Sequence, residues 1–102
     1  LDEFIWALVD LHPHLSRLLL TVDDTFEIRG RGLALAPFLS VDEARPRPFP
    51  VELHRPDGTI QWVSALAQVA FGQPNSKEPK VHLLLLDVRR NDAPRGTKVW
   101  VR

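Results

Sequence analysis

The chain has 102 residues, 44% of them hydrophobic and 25% charged, with 13 bases balancing 13 acids and no cysteine. This is ordinary composition for one globular domain, and it excludes general disorder, disulfides and thiolate metal sites. The longest apolar runs (4–9, 33–39 and 83–86) fall far short of the ~20 residues of a membrane helix.

Residues 1–15 read as a short N-terminal helix and linker. Asp2 can cap it, Phe4, Leu8 and Leu11 recur at helical spacing, and Pro13 stops it. Leu1-Asp2-Glu3 lacks the positive flank of a signal peptide, so a cytoplasmic location is expected. Residues 16–22 and 25–29 are predicted strands separated by the turn-prone Asp23-Asp24. Arg29-Gly30-Arg31-Gly32 places glycines at alternate positions, as a bulge or a close backbone approach requires. Residues 33–38 resume as a strand, which Pro37 should confine to an edge or a bulge. Pro46, Pro48 and Pro50 stiffen a loop over 40–50.

A hairpin follows, with a strand over 51–55, a Pro56-Asp57-Gly58 turn and a long strand over 59–71. Residues 72–79 form a polar loop. Residues 80–88 are a strand whose leucine run predicts burial on both faces. A turn-rich link over 89–96 leads to a closing strand at 97–101. Seven short strands with regular turn signals predict a mainly β domain over 16–102, either barrel or sandwich.

Candidate chemistry is sparse. There is no G-x-x-x-x-G-K-[ST] phosphate loop, so no GTP binding is expected of this chain alone, and Asn75-Ser76-Lys77-Glu78 reads as a loop. His12 and His14 with Asp10 are zinc-donor types, but no fourth ligand accompanies them and Pro13 extends the chain between them. A solvated or capping role is preferred. His54 and His82 could pair with Asp57 or Asp87, but Ser64, the one mid-strand serine, lies in no nucleophile elbow. No enzyme activity, metal or cofactor is expected.

Trp62, Phe71 and Trp100 are candidates for a stacking platform, against the plainer reading that they fill the barrel core and rim. Arg29, Arg31, Arg89, Arg90 and Arg95 are candidates for a phosphate- or carboxylate-binding rim. Charge is uneven along the chain: residues 1–28 hold six acids and one base, and residues 77–102 hold seven bases and three acids. The simplest reading is an acidic element lying against a basic one.

Four segments carry a resemblance. Phe26-Glu27-Ile28-Arg29-Gly30-Arg31-Gly32 resembles the signature that opens domain II of elongation factor Tu and related translational GTPases. Val51-Glu52-Leu53 and residues 63–71 resemble the next core strand and the long strand of that domain. Residues 84–96 (LLLDVRRNDAPRG) are similar to its closing pattern of leucines and an arginine-glycine pair. The similarity covers about residues 18–101, which is most of the chain.

The resemblance implies a closed, six- to seven-stranded Greek-key-like barrel. It also implies tight turns at Gly30, Gly32 and Gly96, and core positions for Phe26 and Ile28. In the family this domain helps hold the aminoacyl end of transfer RNA and contacts the ribosome. This chain differs where the family continues after its glycines (here Ala36, Pro37 and Phe38). It differs again where the family places a glutamate beside the terminal adenine (here Gln68, Val69 and Ala70). The expected function is therefore a non-catalytic, domain II-like module that serves as a protein-interaction or accessory domain. The alternatives are an RNA- or tRNA-binding module, or one domain of a larger GTPase.

Overall fold

In the chain's middle, residues that alternate apolar and polar form strands, and tight turns fold them back on one another. The computed structural model describes residues 16–70 and 80–102, which form seven strands: β1 (Arg17–Thr21), β2 (Asp24–Ile28), β3 (Gly32–Leu39), β4 (Phe49–His54), β5 (Ile60–Ala70), β6 (Lys80–Leu85) and β7 (Lys98–Val101). All pairs are antiparallel, in the order β1-β7-β4-β5-β6-β3-β2. Short 3-10 turns occur at Val41–Glu43 and Arg90–Asp92. The expected N-terminal helix, the His12/His14 pair, Phe71 and the 72–79 loop lie outside the described residues.

The sheet curls so that one face becomes a core. Leu33, Leu53, Leu83, Leu85, Val51 and Val99 on that face are completely or almost completely buried. The hairpin expected at Pro56-Asp57-Gly58 is present: Asp57 accepts hydrogen bonds from both the Thr59 amide (2.9 Å) and hydroxyl (2.7 Å), fixing the turn that sets Leu53 opposite Gln61. Pro37 falls in the register break of the β3–β6 pair between Leu35 and Leu39, where a missing N–H is tolerated. Pro50 lies within β4 rather than in the preceding loop. It faces Ser64 on one side, and β7 pairs only from Glu52 onward on the other.

Two expectations need correction. The barrel is open rather than closed: β1 and β2 are the two ends of the sheet, and the seven strands form an open half-barrel. The cause is the short junction between them. Val22 donates to the Thr97 carbonyl and accepts from Gly96, both at 2.8 Å, while Asp23 donates to the Ala36 carbonyl at 2.8 Å. The junction's backbone is thus used to step from one edge of the sheet to the other, which leaves no ladder between β1 and β2.

The second correction concerns Phe26 and Ile28. Phe26 faces outward and is 53% exposed, and Ile28 is only half-buried. Thr25, opposite Leu35, is the β2 residue that enters the core. Strand side chains alternate, so a core Thr25 forces Phe26 to the other face.

Candidate functional site

The second arginine-glycine segment packs along β2, while the first forms the tip of the β2–β3 hairpin at the end of that strand. At the tip of the β2–β3 hairpin the Arg31 amide donates to the Ile28 carbonyl (2.9 Å), and Gly30 turns with φ +77°. Arg29 and Arg31 are exposed there. In the second segment, Asp92 accepts the Arg89 amide (2.8 Å) and closes the 3-10 turn. Arg55 donates to the Asp92 carbonyl (2.5 Å) and ties this link to the β4–β5 hairpin.

The link packs on β2. The Arg90 guanidinium donates weakly to the Thr25 carbonyl and the Arg90 amide to the Glu27 carboxylate, both at 3.4 Å, and Arg95 sits 3.4 Å from Asp23. A cavity of about 420 Å³ opens at the seam, lined by Val22, Asp23, Asp24, Thr25, Arg90, Ala93, Pro94 and Arg95. Asp23 and Glu27 therefore lie against the basic link. Arg90 and Arg95 border the cavity, whereas Arg29, Arg31 and Arg89 do not. Burial, and secondarily the Arg31 charge, hold His82 below its ordinary pKa.

These contacts give Arg90 a structural task. The Thr25 amide is taken by the Asp24 carboxylate (2.8 Å) and its carbonyl by Arg90, so side chains cap the edge of β2 at this point. Uncapped edges invite pairing with another chain. Arg90→Ala is expected to raise the weight-average mass of the protein in sedimentation relative to wild type at equal concentration. An unchanged mass would remove the capping role.

Trp62 lies elsewhere. It stands on β5, three strands from β2, on the outer face, and the residue is 48% exposed. One cross-strand row runs Leu18, Trp100, Glu52, Trp62 over β1, β7, β4 and β5. Two residues along β5, Ile60 faces His54 and is 58% exposed. Glu52 and His54 pair at 2.5 Å, and the His54 ring lies 5.9 Å from that of Trp100. Arg102 sits over the Trp62 ring at 5.4 Å. The buried Trp100 Nε1 has no hydrogen-bond partner among the described residues, so packing holds that ring.

The core reading of Trp62 is thus overturned, and the arginine rim and the tryptophan platform are separate surfaces. The sequence reading missed Leu18, Ile60, Glu52 and Arg102 as neighbours of Trp62. The alternation of Ile60, Trp62 and Ser64 against Val63 and Ala65 carried part of that signal. A second cavity, of about 580 Å³, lies beside Phe38, Val41 and Lys80 and was not anticipated.

His54 faces Ile60, four residues along β5 from Ser64, a separation of about 13 Å at strand rise. A base and nucleophile so placed do not meet. Among the described residues no three His, Asp or Glu side chains gather as a metal site, and no helix is long and apolar enough to cross a membrane.

Comparison with known proteins gave no match. That holds for family models, curated proteins and solved structures alike. The functional reading therefore rests on the two surfaces themselves.

Proposed function

We propose that this chain is a non-catalytic binding module of the translation-factor domain II type, which holds a protein partner on the outer face of β7, β4 and β5. The observation that carries this reading is the grouping of Leu18, Ile60 and Trp62 around half-buried Trp100. Large apolar side chains gathered on one face, rimmed by charge, are the usual mark of an interaction surface. The domain II resemblance draws support from the tight Gly30–Gly32 turn and from the order β4-β5-β6-β3. In that order a long connection returns β3 beside the third of three successive strands, as in a Greek key.

A photo-crosslinking residue placed at Ile60, with Arg29 as the control position, tests the reading in the protein's own host. Protein adducts from position 60 and none from position 29 are expected. No adduct from position 60, or equal adducts from both, would overturn it. RNA is the second reading, favoured by the Arg102–Trp62 contact, which could pair a stacked base with a neutralised phosphate. Only Lys98 and Arg102 bring lysine or arginine charge to the strands of this face beside the tryptophans, and affinity for a nucleic acid rests mainly on such charges.

A further inference from the structure

Two indoles share one row of the sheet. Trp62 is paired with Glu52 and Glu52 with Trp100, so their Cα atoms are two strand spacings apart. At 4.7–4.9 Å per spacing this is roughly 9.5 Å. A polyproline II helix has three residues per turn and rises ~3.1 Å per residue, so residues i and i+3 face the same way about 9.3 Å apart. We propose that this face binds a proline-rich peptide in the polyproline II conformation, laid across β7, β4 and β5 with one ring of each Pro-x-x-Pro pair on each indole. The inference rests on the protein-binding reading above and names the partner's chemistry.

Several features of the face fit such an occupant. Polyproline II segments are stiff before they bind, so little ordering entropy is lost on a shallow surface. Their backbone carbonyls are unpaired and need donors, which Trp62, Lys98 and Arg102 can supply. Leu18 and Ile60 border the row with further apolar surface. Glu52 already has His54 as a partner, while Lys98 and Arg102 make no salt bridge among the described residues. Lys98 and Arg102 outnumber Glu52 on this face, so its excess charge is cationic and the peptide should carry acidic residues beside its prolines. A nucleic acid would need more phosphate contacts than these two cations supply, and Arg29, Arg31, Arg89, Arg90 and Arg95 lie away from the row.

The test is titration of the full chain, followed by tryptophan fluorescence, with an octaproline peptide flanked by aspartates. Saturable binding in the micromolar to submillimolar range is expected, and none with the octaglycine analogue. Trp62→Ala should weaken binding at least tenfold, and Trp62→Phe by only a few-fold. Lys98→Glu should shift preference to a lysine-flanked octaproline.

Urea unfolding of each variant separates loss of binding from loss of fold. No saturable signal with the proline peptide, equal binding of the glycine peptide, or no effect of Trp62→Ala would overturn the proposal. Salt-dependent binding of oligouridylate without peptide binding would overturn it in favour of RNA. Crosslinking to a proline-free protein from position 60, with no peptide binding, would overturn this inference and leave the protein-binding reading standing.

Discussion

Gly32→Ala is expected to destabilise the domain by about 3–5 kcal/mol, lowering its melting temperature by roughly 15–30 °C. Gly32 begins β3 with φ +144°, a region that L side chains rarely adopt. A Cβ there would overlap the Leu85 carbonyl oxygen and approach the Leu85 carbonyl carbon to 3.3 Å. Both obstacles are backbone, so no rotamer change relieves them. Leu85 pairs with Leu33, the next residue, and any retreat would disturb the β3–β6 ladder at its start. Gly30, two residues away, gives the contrast. It has φ +77° but nothing within 4 Å of a built Cβ, so Gly30→Ala should cost only the backbone term, about 1 kcal/mol. Equilibrium urea unfolding of both variants checks the difference. A Gly32→Ala cost no larger than that of Gly30→Ala would remove the close-approach argument.

That contrast bears on how much was legible beforehand. The alternate glycines announced a special backbone, and local rules sufficed to place all seven strands to within about two residues at most ends. The Pro56-Asp57-Gly58 hairpin was readable because its chemistry is contained in four residues. Closure was not readable in this way. Whether β1 pairs with β2 depends on where the two-residue junction at Val22–Asp23 sends its hydrogen bonds, and those partners, Thr97, Gly96 and Ala36, are far away in sequence.

The site was legible only in pieces. Of the five arginines that the sequence offers for a binding rim, the structure brings Arg90 and Arg95 to one cavity. Arg90, however, is engaged with Thr25 and Glu27 on the neighbouring edge, a use invisible without the fold. In the sequence, Trp62 and Trp100 are linked only by residue type. That they stand in one row depends on the registers of β4 with β5 and with β7, and register is a tertiary property. Phe26 shows the converse error. A motif argument sent it inward, while the simple alternation set by Thr25 sends it outward.

The leucine run of β6 makes the remaining strong prediction, because its two faces can be probed separately. Leu83 and Leu85 face the core between β3 and β5 and are fully buried. Leu84 points the opposite way, in an outer row with Phe26, Ala34 and Leu66, yet it is only 1% exposed, and Ala34 beside it is 6% exposed. An outer-face leucine of an ordinary half-solvated sheet would lose little on truncation, within about 0.5 kcal/mol. Leu84→Ala is instead expected to cost about 2–4 kcal/mol, in the same range as Leu83→Ala, because each removes a fully buried side chain and leaves a void. The urea midpoint should fall for both at an unchanged slope, which keeps the comparison on stability rather than on the unfolded state. If Leu84→Ala stays within 0.5 kcal/mol of wild type while Leu83→Ala falls, β6 is a one-sided strand. If both fall, the buried Leu84 and Ala34 contribute to the stability of the fold from the outer side of the sheet, where Phe26 in the same row stays exposed.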